Sequence, residues 1–284
     1  MHRWLVLFAV GGCGQLFGLS EVTLPDAAPM PEFVPFVGLA PLPGAINSGL
    51  EEDDPSLTAD LLELYLLRNT DLYVAKRATE SDPWPMATPI VELNTIDTEL
   101  RPCISGDGLT LYFARDVGGQ RDVFVTTRGT RGEAWSAPVL LALDLNRPTT
   151  NEHPGWASSD GLKLLVETFP VPDGDNDLYL ATRNSPSEPF TSVPLEGINY
   201  VSDEGGGWAT DDEKTIMFES NRAGSMDIWE ANSVGATWAV QAHPELNSET
   251  LYKTDGTPWI SGDGSVIVFS TSRSGNDDLY MATR

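Results

Sequence analysis

The sequence is poor in the residues on which many binding and catalytic sites are built. Its 284 residues include two cysteines and three histidines. Two cysteines exclude a disulfide scaffold and every zinc cluster built on cysteine alone. His2, His153 and His243 lie far apart, so neither a multi-histidine metal site nor a convincing Ser-His-Asp set is present. Bases are scarce as well. Seventeen Lys and Arg face 42 Asp and Glu, a net charge of −25. That balance argues against nucleic-acid binding, which needs clustered cations on phosphates, and against docking on an anionic membrane through a basic face. No apolar run reaches the roughly 18 residues of a membrane-spanning helix. Gly205-Gly206-Gly207 matches neither a P-loop nor a dinucleotide fingerprint. What is abundant is turn material, 26 Gly and 21 Pro, beside a 40% hydrophobic fraction that suffices for a core.

At the N-terminus, Arg3 precedes an apolar stretch from Trp4 to Val10, closed by Gly11, Gly12 and Cys13. This is the layout of an export signal over residues 1–13. Val10-Gly11-Gly12-Cys13 resembles the bacterial lipobox, and the resemblance implies cleavage before Cys13 and lipidation of that cysteine. It places the chain in the bacterial cell envelope, periplasmic or at the outer membrane or cell surface, touching the membrane only through the lipid. Residues 14–32 carry Pro25, Pro29 and Pro31 and read as a stiff tether.

The remaining chain, 33–284, is one unit repeated. Ser105-Gly106-Asp107-Gly108, Ser158-Ser159-Asp160-Gly161 and Ser261-Gly262-Asp263-Gly264 share a turn, with degraded copies at Thr58-Ala59-Asp60-Leu61 and Thr210-Asp211-Asp212-Glu213. Their aspartates are 47, 53, 52 and 51 residues apart. A second signature, Asp-aliphatic-aromatic, recurs at Asp71, Asp122, Asp177, Asp227 and Asp278. After each turn, apolar residues alternate with period two, as in Leu64/Leu66, Leu111/Phe113, Leu164/Val166, Ile216/Phe218 and Ile267/Phe269. Asp-Gly suggests a two-residue hairpin loop between the first and second strands. A fourth strand begins at Trp84, Trp135, Phe190 or Trp238 and ends near an aliphatic-Asn pair.

Four antiparallel strands in about 50 residues is the size of a propeller blade. The fifth unit stops at Arg284 after its third strand, and Phe33 to Asn47 supplies an aromatic start and an aliphatic-Asn finish. The expectation is an all-β, five-bladed propeller with repeats near 51–98, 99–151, 152–203, 204–254 and 255–284, the last blade completed by the N-terminal strand 33–47. The unit resembles the TolB-type propeller repeat, best in Ser220-Asn221-Arg222-Ala223-Gly224 and Thr271-Ser272-Arg273-Ser274-Gly275. The resemblance implies the architecture and speaks weakly for function.

One column is acidic in every unit: Glu52, Glu99, Glu152, Glu204 and Asp255. Placed at the entry of the innermost strand, these carboxylates would ring one channel mouth and form a rim for a basic partner or for a hard cation such as Ca²⁺. The alternative is that each is a repeated structural acid. The Asp of the Asp-aliphatic-aromatic column reads as structural, accepting hydrogen bonds from nearby backbone or from an arginine such as Arg222 or Arg273. Asp173-Gly174-Asp175-Asn176-Asp177 reads as a solvated loop rather than a calcium loop. Trp156, Trp208 and Trp259 share one position, with Cys103 and Ser56 in the other units, and read as packing or as a platform. No motif demands a cofactor. The functional expectation is a non-catalytic, monomeric binding module for an envelope protein or polysaccharide. The alternative is a glycan-active enzyme using channel carboxylates such as Glu152 and Glu204 near His153, Trp156 and Trp208.

Overall fold

A computed structural model describes residues 33–144, 146–170, 174–249 and 253–284. The lipobox cysteine Cys13, the export signal and the tether lie outside the described residues. Among the described residues there are twenty strands and no helix. They form five four-stranded antiparallel sheets; four add their strands in chain order outward from the channel, and the fifth takes its outermost strand from the start of the chain. Blade 1 is β2(Glu52–Leu57), β3(Glu63–Arg68), β4(Asp71–Lys76) and β5(Thr88–Pro89). Blade 2 is β6(Thr98–Ile104), β7(Thr110–Val117), β8(Gln120–Thr127) and β9(Val139–Leu140). Blade 3 is β10(Thr150–Ala157), β11(Lys163–Pro170), β12(Asp177–Thr182) and β13(Thr191–Pro194). Blade 4 is β14(Glu204–Ala209), β15(Thr215–Ser220), β16(Asp227–Val234) and β17(Thr237–Ala242). Blade 5 is β18(Asp255–Ile260), β19(Val266–Thr271), β20(Asp278–Thr283) and, from the other end of the chain, β1(Val37–Pro41). The inner strands adjoin in the cyclic order β2, β6, β10, β14, β18 and back to β2.

The alternating apolar columns fill the space between blades. Leu64, Leu111, Leu164 and Ile267, with Leu66, Phe113, Val166, Phe218 and Phe269, are all fully buried. The Asp of each turn is a cap. Asp107 accepts the Ser105 hydroxyl at 2.7 Å and the Leu109 amide at 2.9 Å, and Asp60, Asp160, Asp212 and Asp263 repeat the pair of bonds. The turn is longer than a two-residue hairpin, because Ser105 and Thr110 close it by backbone and side-chain bonds around four intervening residues. Only the residue after the Asp is left-handed: Gly108, Gly161 and Gly264, with Leu61 and Glu213 in the degraded copies.

Each outer strand is held by an asparagine. Asn94 bonds both the amide and the carbonyl of Leu72, Asn199 those of Leu178, and Asn247 those of Ile228. Asn47 does the same to Leu279, at 2.9 and 3.0 Å, and so joins the two ends of the chain. An arginine clamps the opposite end. Arg77, Arg128 and Arg183 lie over Trp84, Trp135 and Phe190 and donate Nε–H to the carbonyl at the left-handed turn position. Arg284 repeats this in blade 5, over Phe36 at 4.6 Å. The aromatic start of the closing strand is thus Phe36 rather than Phe33, because only Phe36 lies beneath the terminal arginine.

The left-handed position gives a direct check. Glu213 has φ +58° and is exposed. A left-handed non-glycine residue costs roughly 1–2 kcal/mol. Glu213→Gly is expected to raise unfolding stability by about 1 kcal/mol in urea titration, and an unchanged or lower midpoint would contradict the assignment.

Candidate functional site

All five acids of the repeated column are fully buried, so they do not form a solvent-facing rim. Arg68 binds Glu52 and Arg115 binds Glu99, each at 2.8 Å; Arg222 binds Glu204 at 3.0 Å and Arg273 binds Asp255 at 2.7 Å. Each guanidinium also donates to the carbonyl of Ile46, Leu93, Ile198 or Leu246 in the preceding blade connection. Each lies over the aromatic of its own Asp-aliphatic-aromatic strand: Tyr73, Phe124, Trp229 and Tyr280. Arg222 and Arg273 therefore serve the repeated acids, not the Asp of that strand; Asp227 and Asp278 accept from Ser225 and Ser274 instead.

Blade 3 breaks the pattern. Thr168 faces Glu152 where Arg68 faces Glu52 and Arg115 faces Glu99. Neither carboxylate oxygen of Glu152 has a hydrogen-bond partner among the described residues. Burial pushes its carboxyl up to about 8, against the pull of the nearby Thr150 hydroxyl; Asp122 adds to the rise and Arg147 opposes it.

The channel is lined by the neighbouring columns, in which the units disagree. Every inner strand carries a one-residue bulge. In four blades it sets a residue left-handed: Asp54, Arg101, Gly206 and Thr257. Blade 3 has Pro154 there, which cannot take positive φ, and its bulge falls one residue later. For β-branched Thr257, φ +48° is a strained conformation held by its surroundings.

These strained residues converge on one charged cluster. Arg101 places Nε 3.2 Å from Asp54 and a terminal nitrogen 3.0 Å from Glu219 and 3.6 Å from Glu167. Bonds then pass from blade to blade around the channel. The Arg101 amide donates to Asp54 at 2.9 Å, the Gly206 amide to Glu167 at 3.3 Å, and the Thr257 amide to Glu219 at 2.8 Å. The Thr257 hydroxyl donates to Asp53 at 2.8 Å. A Cβ at Gly205 or Gly256 would collide with the Glu167 or Glu219 carboxylate, so a side chain there would displace the acid from the cluster. Burial pushes Asp54 up to about 7, against the pull of Arg101, and Asp53 and Glu219 add to the rise. Burial also raises Glu219, whereas Glu167, equally buried, is held below the ordinary range by Arg101 and His153. His153 is buried with no hydrogen bond at either ring nitrogen, and burial lowers it to about 4.

Arg101 fills this end of the channel. The space left among Asp54, Arg101, Pro154, Gly206 and Thr257 is about 20 Å³, room for one water. Beyond it, Trp156, Trp208 and Trp259 are 6, 9 and 2% exposed, with Trp208 and Trp259 tilted together at 6.2 Å. Cys103, their equivalent in blade 2, is a free buried thiol whose ionisation burial opposes. On the far side of the tryptophans a depression of about 340 Å³ opens among the Asp-Gly turns. The three Trp floor it, Leu57, Ile104 and Ile260 wall it, and Asp107 and Asp211 stand at its rim.

Trp156 and Trp208 lie in the depression and His153 lies 3.7 Å from Glu167, whereas Glu152 and Glu204 are fully buried. Asp54, Arg101, Glu167 and Glu219 were not singled out from sequence. Their signal was an exception rather than a repetition: at the Glu167 and Glu219 position the other units carry Leu67, Ala114 and Ser270. Among the described residues no group of three or more His, Cys, Asp or Glu is arranged to hold a metal ion, and the acids of 174–177 form no such group. Asp173 lies outside the described residues.

No family model matches the chain, and no curated protein matches it. Solved structures do. A protein assigned as TolB from Agrobacterium tumefaciens aligns at 20% identity over 79% of this chain and 71% of its own, with a TM-score of 0.53. TolB from Acinetobacter baumannii aligns at 15% identity and a TM-score of 0.52 over 84% of this chain, which spans 56% of that protein. An endo-arabinase from Bacteroides thetaiotaomicron aligns at 14% identity and a TM-score of 0.62, over 86% of this chain and 96% of the enzyme. At these identities the likeness is one of fold, a propeller shared with TolB proteins and glycoside hydrolases alike.

The unpaired acid of blade 3 yields a pH test. Its proton is bound more tightly in the folded chain than in the unfolded one, so ionising Glu152 costs stability as pH rises from about 4.5 towards about 8. Glu152→Gln and Thr168→Arg should each flatten the loss seen in urea titrations between pH 5 and 9. Glu99→Gln, which strands Arg115, should cost about 3 kcal/mol. Equal pH slopes in the wild type and both blade 3 variants would contradict the assignment.

Proposed function

We propose that this chain is a non-catalytic binding propeller of the bacterial envelope, tethered through a lipid on Cys13, and that it takes a protein segment or envelope polymer at the tryptophan-floored depression. The observation that carries the reading is the contrast between the two sides of the channel. Where the charged cluster lies, Arg101 occupies the axis and leaves about 20 Å³; on the Asp-Gly side about 340 Å³ is open. The space beside Arg101 is too small for a sugar ring, which speaks against carbohydrate chemistry at Asp54, Glu167 or Glu219. Concave sites with an apolar floor and a few polar rim groups are the usual form of a recognition pocket. Loops around a rigid ring supply such a surface.

The glycan-active reading has one observation in its favour. Asp54 and Glu167 are pushed in opposite directions, as an acid and a base would be. It requires Arg101 to leave the axis, which would strand Asp54 and Glu219 without their shared cation.

The test pairs capture with a sugar-release assay. Ala59 is exposed at the edge of the depression, so Ala59→Trp fills the space from outside the core. Wild-type protein is expected to retain an envelope component that Ala59→Trp loses, and to release no sugar from a polysaccharide panel. Retention by both proteins would move the site elsewhere. Sugar release abolished by Asp54→Asn or Glu219→Gln would replace binding with catalysis.

A further inference from the structure

The five outer strands differ in how they end their sheets. An outer strand leaves one row of N–H and C=O groups unpaired, a template for another chain unless it is short or interrupted. In four blades it is both or nearly so. β5 is two residues ending in Pro89, β9 is two residues, and β13 is four residues ending in Pro194. β1 is five residues with left-handed Gly38 and terminal Pro41. Neighbouring blade connections also tie down the chain leading into two of these strands: Pro43 accepts the Trp84 amide ahead of β5, and Ala142 accepts the Phe190 amide just before β13.

β17 has none of these protections. It is six residues long, Thr-Trp-Ala-Val-Gln-Ala, without proline, glycine or charge. It pairs with β16 along its whole length, through a two-residue loop at Gly235-Ala236. The cause is a break in the repeat. Ser233 stands where Arg77, Arg128, Arg183 and Arg284 stand in the other blades, and its amide makes the same bond, to Lys214. Elsewhere the arginine stacks on the aromatic at the start of the outer strand across a connection of several residues. Blade 4 has a tight hairpin instead, and the hairpin prolongs the edge.

Register identifies the free groups. A two-residue loop makes Val234 and Thr237 a hydrogen-bonded pair, so Asn232–Ala239 and Glu230–Gln241 are bonded pairs as well. Trp238, Val240 and Ala242 then direct their amides and carbonyls away from β16. Among the described residues none of these outward groups makes a hydrogen bond. The Trp238 and Val240 side chains pack on the core and hold the strand in place.

We propose that the edge of β17 receives an extended segment of a basic protein as a fifth strand of blade 4. Main-chain bonds to Trp238, Val240 and Ala242 would supply affinity, as in strand addition generally. The sign of the partner follows from charge. β17 itself is neutral, so it does not repel, while the chain carries −25 and draws a cationic chain towards it. The same charge opposes a second copy of this protein. The surface is separate from the tryptophan depression, so either site can fail without the other.

The probe is a labelled peptide of ten alternating Thr and Val residues with two lysines at each end, titrated by fluorescence anisotropy into the whole protein. A second peptide carries glutamates in place of the lysines. The edge-blocking variant is Val240→Pro, which removes an outward amide and leaves every β16–β17 bond; Ala242→Pro does the same if the first fails to fold. Expected are saturable binding of the lysine peptide, at least ten-fold weaker binding to the proline variant, and weaker binding of the glutamate peptide. Ala59→Trp should bind the lysine peptide like the wild type. Equal affinity for wild type and Val240→Pro, or no binding to the wild type, would overturn the proposal. A dimer of the wild type that Val240→Pro dissolves in sedimentation would give the edge to a second copy and overturn it equally.

Discussion

Everything in this propeller depends on one joint, the docking of β1 onto β20. Blade 5 meets blade 1 through β18 and β19 against β2, and β1 gives that blade its fourth strand. The joint is secured at both ends by devices the other blades use within a continuous chain. Asn47 bonds the amide and carbonyl of Leu279 as Asn94 bonds those of Leu72. Arg284 covers Phe36 as Arg128 covers Trp135. A further cluster ties the joint to blade 4: Glu245 accepts the Phe36 amide at 3.0 Å, His243 bridges Glu245 and Glu230, and Arg284 reaches Glu230 at 2.6 Å.

The scarce bases have a consistent use. Arg68, Arg115, Arg222 and Arg273 neutralise the repeated acids, and Arg77, Arg128, Arg183 and Arg284 seal the turns onto the outer strands. Arg101 crosses the channel to acids of three other blades. A planar guanidinium that bonds at several points and stacks on a ring suits all three places, and lysine would serve none of them equally. The surface is therefore left anionic. Among the described residues of the repeated acidic column only Glu152 lacks an arginine, and in the channel Asp54, Glu167 and Glu219 share one.

Repetition made the architecture legible in the sequence. The Asp-Gly turns, the Asp-aliphatic-aromatic strands and the split last blade all stand where their spacing placed them, because each repeated residue has the same mechanical task in every blade. The same repetition misdirected the search for a site. Glu52, Glu99, Glu204 and Asp255 recur because each needs its arginine, and the pairing was invisible because that arginine falls either 16 or 18 residues later. Asp54 stands where its sister units carry Arg101, Pro154, Gly206 and Thr257, and the glutamate of Glu167 and Glu219 occurs in two units against Leu67, Ala114 and Ser270. Those exceptions are where the units stop serving the ring and begin to differ in chemistry. Ser233, the exception that leaves β17 long and bare, belongs to the same class.

The claim that the terminal strand closes the ring is tested most directly by native-state hydrogen exchange. The Leu279 amide, held by Asn47, should be as protected as its equivalents at Leu72 and Ile228, held by Asn94 and Asn247, and all three should exchange only through global unfolding. Exchange at Leu279 well ahead of the other two, through an opening confined to β1 and β20, would contradict it.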